Sequence, residues 1–222
     1  MRPIHIQFSM SVADADGICV SQKPTVAANL TIAGDHASGG VATMPVATSG
    51  SNQVDPIPRH VSITSASDES GDTFTITGTD RWNNALSEEI AGPGATTVTT
   101  TANFKTVTQV ATDGAATGNI TVGSADEADT VLIVTDSYSE PITYAVDLSA
   151  SADLTSEFKY TVSDVFDESF SAETANYIAD LGASNGDYDG TSSGPITGCR
   201  FEITNWTSTD DIVNIHVLTA AH

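Results

Sequence analysis

The sequence predicts an all-β protein of one or two antiparallel β-sandwich units with an extended N-terminal arm region. Three observations carry this. Apolar residues alternate with polar ones at a period of two along most of the chain. The 222 residues include 31 threonines, whose branched Cβ suits a pleated, half-buried surface. Short apolar runs are separated every ~8–12 residues by Gly, Asn and Asp turn signals, the rhythm of a sandwich.

Taken in order, Ile4, Ile6, Phe8, Met10 and Val12 alternate and predict a strand that ends in the turn Asp14-Ala-Asp-Gly17. From Ser21 to Pro58 the alternation weakens. Pro24, Gly39, Gly40, Pro45, Gly50, Pro56 and Pro58 interrupt short runs, so this stretch reads as an arm with one or two brief strands that orders on a neighbour and is dispensable to the sandwiches. A regular unit then begins at Arg59. Val61 and Ile63, Phe74 and Ile76, Leu86 to Ile90, a Thr-rich run, Phe104 to Val110 and Ile120 to Val122 give successive strands. Ser124 to Asp129 is acidic and small, which suits a boundary. Beyond it, Val131 to Val134, Ile142 to Leu148, Phe158 to Val162, Phe201 to Ile203 and Ile212 to Val217 predict five more strands. Ser171 to Leu181 alone has helical spacing, and Ala183 to Gly194 reads as a surface loop. The division is therefore 1–58 for the N-terminal strand and arm, 59–123 for a small sandwich, and 124–222 for a second sandwich. The N-terminal strand completes that second sandwich if the chain ends pair.

Charge narrows the range of partners. The chain carries 29 Asp and Glu against three Lys and four Arg, a formal net charge of −22. A nucleic-acid binder displaces counterions from phosphates with Lys and Arg, so DNA, RNA and anionic membrane surfaces are excluded as expected partners. No run approaches the ~20 apolar residues of a membrane-spanning helix, and the N-terminus lacks the apolar core of a signal peptide, so folding is expected in the cytoplasm where the chain is made. With few cations to pair the carboxylates, the surface suits either a salty medium that screens its self-repulsion or an ordinary acidic surface kept for solubility. Cys19 and Cys199 have no C-x-x-C spacing and read as two buried free thiols.

Chemistry-bearing patterns are sparse. Asp14 with Asp16, Asp68 with Glu69 and Asp72, Asp126 with Glu127 and Asp129, and Asp187 with Asp189 each gather the oxygen ligands that Ca²⁺ takes. None completes a calcium loop with its distal bidentate Glu, and Asp beside Gly is ordinary turn chemistry. His5, His36, His60, His216 and His222 lack zinc-ligand spacing. The sequence has no nucleophile elbow, no H-E-x-x-H and no phosphate loop. No catalytic residue, cofactor or metal site is therefore predicted, and no enzyme activity.

The run Val61-Ser-Ile-Thr-Ser-Ala-Ser-Asp-Glu-Ser-Gly-Asp-Thr-Phe-Thr-Ile-Thr-Gly-Thr-Asp80, then Ser87-Glu-Glu-Ile-Ala-Gly92, Phe104-Lys-Thr-Val-Thr-Gln-Val110 and Gly118-Asn-Ile-Thr-Val-Gly123, resembles a domain of virion structural proteins of tailed bacteriophages. Asp14-Ala-Asp-Gly-Ile-Cys19, Phe158-Lys-Tyr-Thr-Val-Ser-Asp-Val-Phe166 and Pro195-Ile-Thr-Gly-Cys-Arg-Phe201 extend the likeness over most of the chain, with Ala37 to Pro58 the weakest stretch. The resemblance implies a virion location after assembly in the host cytoplasm. It implies a capsid decoration or cement protein that binds the major capsid protein or other virion proteins, self-associates as a homotrimer and needs no cofactor. A tail, adaptor or baseplate component fits the same resemblance. From a different class, a carbohydrate-binding or surface-layer module also fits Thr-rich sandwiches. Against that module stands the scarcity of stacking aromatics, with Trp82 and Trp206 the two tryptophans.

Overall fold

The computed structural model describes residues 4–9, 11–45, 57–130, 132–135, 141–148, 154–167, 170–172, 175–180, 182–192, 194, 196–206 and 211–219. The protein is all-β, with no helix among the described residues. The first strands are β1 (Ile4–Phe8), β2 (Asp14–Gln22), β3 (Ala28–Asn29), β4 (Ala37–Ser38), β5 (Val41–Thr43) and β6 (Val61–Ser65). Next come β7 (Thr73–Thr79), β8 (Ala85–Ala91), β9 (Thr97–Thr99), β10 (Thr106–Thr112), β11 (Ile120–Ser124) and β12 (Ala128–Asp129). The last are β13 (Ile133–Val134), β14 (Ile142–Leu148), β15 (Thr155–Thr161), β16 (Ile178–Ala179), β17 (Tyr188–Ser192), β18 (Gly198–Thr204) and β19 (Val213–Thr219).

The chain divides into two compact units. An inserted unit comprises Ala13–Val46 and Pro56–Asp126, and a terminal unit is built on Met1–Val12 and Glu127–His222. In the inserted unit one sheet runs β2-β11-β6-β9 and the other β4-β5-β10-β7-β8, with β3 also on β10. Alternation buries one face of each. Phe74 and Ile76 of β7 and Val107 and Val110 of β10 meet Ile18 of β2, Val61 and Ile63 of β6, and Ile120 and Val122 of β11 in a single core. Phe104 lies in the same core, and its backbone bonds both ways with that of fully buried Arg59.

The segment predicted to be an arm is part of this sandwich wherever it is described. Ser21 and Gln22 end β2, and Leu30, Ala42 and Met44 are core residues beside Phe104 and Val107. Residues 46–56 lie outside the described residues. The predicted turn at Asp14-Ala-Asp-Gly17 likewise opens β2. Register runs from Asp14 opposite Ser124 to Cys19 opposite Val122, so five steps of β2 face two of β11. Such a bulge keeps the local turn chemistry, since the Asp16 amide donates to Asp14 Oδ1 at 3.2 Å, while the strand continues. Gly123 makes the passage possible, because a Cβ there would stand 1.8 Å from the Asp14 carbonyl oxygen.

The terminal unit pairs the chain ends: β1 lies antiparallel to β19 from Ile4 opposite Val217 to Phe8 opposite Val213. Its sheets run β1-β19-β14-β17 and β12-β18-β15-β16, with β13 also on β18. Strand β14 alternates strictly, burying Ile142, Tyr144, Val146 and Leu148. Tyr144 stacks on Phe158 of β15 at 4.1 Å and meets Phe201 of β18 edge-on at 5.8 Å, joining the two sheets. The predicted helix at 171–181 is absent from its described residues, where Ile178–Ala179 instead forms β16 against β15. Three apolar residues are too few to stabilise a short helix, and a sheet edge offers their backbone partners at once. The loop predicted at 183–194 contains β17, paired along β14.

Candidate functional site

The carboxylate clusters resolve into separate structural tasks. Glu69 is 2% exposed, and its oxygens accept from Ser65 Oγ at 3.1 Å and from the Thr117 and Gly118 amides at 2.8 and 2.7 Å. Asp80 closes the β7–β8 hairpin by accepting from the Trp82 and Asn84 amides, both at 2.8 Å. Glu88 accepts from the Thr101 and Ala102 amides. Asp68 accepts from the Ser70 hydroxyl and then from its amide, hydrogen bonds that hold its carboxyl below the usual range. Asp129 pairs with Arg200 at 3.0 Å, and Arg200 also lies 3.8 Å over the Tyr177 ring. Asp187 accepts from the Leu148 amide at 2.9 Å, whereas Asp189 is exposed on β17. Asp14 stands 3.7 Å from His36 Nε2 beside the β2 bulge. Among the described residues no group of three or more His, Cys, Asp or Glu is placed to hold one metal ion.

Cys19 and Cys199 are free, fully buried and in different units. Burial pushes each thiol up to about 12, so neither is a thiolate at neutral pH. The same cause raises Tyr144, with Asp180 adding to it. Tyr188 is pushed up to about 12 by burial and the charge of Glu157, against a hydrogen bond from Ser156 that favours the phenolate. At Arg59 burial pulls the guanidinium down to about 10 against the opposing pull of Asp126, and it stays charged. Lys159 is pulled down by burial, but hydrogen bonds and charge from Glu202 and Glu157 outweigh this and raise it.

Hollows open on the surface of each unit among the described residues. One, of about 230 Å³, lies on the inserted unit among Ala13, Ala15, Thr64, Thr97, Thr99 and Asp126. The other, of about 360 Å³, lies on the terminal unit among Ser163, Asp164, Asp167, Phe170 and Asn176. Phe166 beside it is 73% exposed. Of the two tryptophans, Trp206 is buried and Trp82 is exposed at the β7–β8 turn.

One pair of chemistry-bearing residues was invisible to local spacing. His5 and His216 sit directly opposite each other on β1 and β19, with ring centroids 4.4 Å apart and planes within 7°. They are 211 positions apart in the chain, so the only signal in the sequence was the expected pairing of the terminal strands. Comparison with protein-family models finds no match to this chain, and comparison with curated proteins finds no relative.

Proposed function

We propose that this protein is a non-enzymatic structural component of a tailed-phage virion, and specifically a capsid decoration or cement protein that stabilises the head. The observation that supports the reading best concerns the segment that resembles virion proteins. Residues 61–123 lie in one sandwich, and three of their carboxylates are engaged in holding it. Glu69, Asp80 and Glu88, all within that segment, accept hydrogen bonds from the backbone amides of turns and neighbouring strands. Such residues serve a rigid scaffold rather than a reaction.

An outer position on the particle suits the charge, since a net −22 repels packaged nucleic acid and favours the solvent-facing side. Cross-strand hydroxyl pairs support the same reading. Thr64 with Thr97 at 2.8 Å and Thr79 with Thr106 at 2.7 Å tie neighbouring strands without needing cations, of which this chain has seven against 29 carboxylates. Quantitative mass spectrometry of purified particles tests the proposal. Hundreds of copies per particle are expected of a decoration protein; about a dozen would move it to the tail or portal region, and absence from particles would overturn it.

A further inference from the structure

On the terminal unit's outer sheet face, the register sets His5, His216, Ala145 and Asp189 in one row across β1, β19, β14 and β17. All four are exposed, as the alternation with buried Ile6, Ile215, Tyr144 and Val146 requires. Directly opposed residues on antiparallel strands have Cβ atoms ~4.5–5.5 Å apart, so two imidazoles there reach the same point in space. The parallel rings at 4.4 Å already sit close together. Two ring nitrogens ~2.1 Å from one cation at tetrahedral or square-planar angles are ~3.0–3.4 Å apart; because each lone pair lies in its ring plane, both rings must swing out of the parallel stack to converge on a shared ion.

We propose that His5 and His216 form a two-imidazole site for a borderline transition-metal cation, Zn²⁺, Ni²⁺ or Cu²⁺, which clips β1 to β19. Imidazole nitrogen selects these ions over Ca²⁺ and Mg²⁺, which take oxygen. Coordination positions beyond the two nitrogens stay open to water. The surrounding net charge of −22 raises the local concentration of any cation. The clip joins strands from opposite ends of the chain, and binding to the folded state alone stabilises that closure by mass action. This inference is independent of the virion reading.

Titration calorimetry of the full chain, freed of chelator, with each metal alone tests it. One ion per chain is expected. His5→Phe and His216→Phe keep a ring in the stack but remove the ligand, and each is expected to weaken binding at least tenfold, while His36→Gln leaves it unchanged. With Cu²⁺, electron paramagnetic resonance is expected to show coupling to two imidazole nitrogens in the parent and one or none in the variants. Circular dichroism of the metal-free variants checks that the sheet is intact. No binding by about 1 mM metal, equal binding in both phenylalanine variants, or copper coordinated by oxygen alone would each overturn the site.

Discussion

Glu69 shows how a carboxylate in this protein acts. Buried beneath a loop, it accepts from Ser65 Oγ and from two backbone amides forty-eight and forty-nine positions away, so it fixes β11's approach to the turn before β7. Glu69→Ala leaves those donors without a partner and is expected to cost about 2–3 kcal/mol in urea unfolding, with Glu69→Gln recovering part of the loss. The thiols make a prediction of opposite pH sense to that of a salt-bridged acid. Below pH 9 both are protonated in the folded and unfolded chain. Between 9 and about 12 the unfolded chain releases protons that the folded chain holds, so their stabilisation is present below pH 9 and is lost as pH rises through about 12. Tyr188 adds to the same loss from 10 to about 12. The fall in unfolding free energy between pH 9 and 11 is expected to be shallower, by up to roughly two protons in slope, in a Cys19→Ala, Cys199→Ala chain. Equal slopes would mean that the thiols ionise freely in the folded state.

At the level of strands, close approach decides more than apolar content. Gly123→Ala would drive its methyl into the Asp14 carbonyl and lift β2 from β11, at an expected cost of about 1–3 kcal/mol by thermal or urea unfolding. Removal of residues 21–58 would take Leu30, Ala42 and Met44 from the core and strip β3 and β5 from β10, together with β4, which pairs with β5. The inserted unit is therefore expected to unfold, read as loss of protection of 59–126 against protease, and survival of that protection would restore the reading of the segment as an arm. These cases show what the sequence could reveal. Strands such as β7 and β14, which bury alternate residues on one face, announced themselves through period two. Strand β17, Tyr188-Asp-Gly-Thr-Ser192, has one large apolar residue and exists because β14 offers it a ladder, a non-local fact that composition hides. The Asp and Gly of β2 looked like a turn because a bulge and a turn use the same local hydrogen bond. Leu30 and Met44 fall in the stretch read as an arm because the core residues they join, Phe104 and Val107, come some sixty or more positions later. The His5 and His216 pair was legible only through the pairing of the chain ends.

Over the whole chain, charge sets the conditions under which the fold persists. The seven Lys and Arg cannot neutralise 29 carboxylates, and several are already committed. Arg59 is buried, Arg200 is held by Asp129 and Tyr177, and Lys159 lies between Glu157 and Glu202. Carboxylates thus outnumber the cations that could pair with them about four to one, and folding concentrates them relative to the expanded chain. Screening shortens that repulsion from ~10 Å at 0.1 M salt to ~3 Å at 1 M. The unfolding temperature is expected to rise by several degrees as NaCl increases from dilute buffer, with most of the gain below about 0.5 M, where screening changes fastest. A general salting-out effect would instead rise in proportion to concentration and continue past that point. Sodium and potassium chloride should act alike if screening is the cause, and a flat curve in both would show that the carboxylates are far enough apart for water alone to separate them.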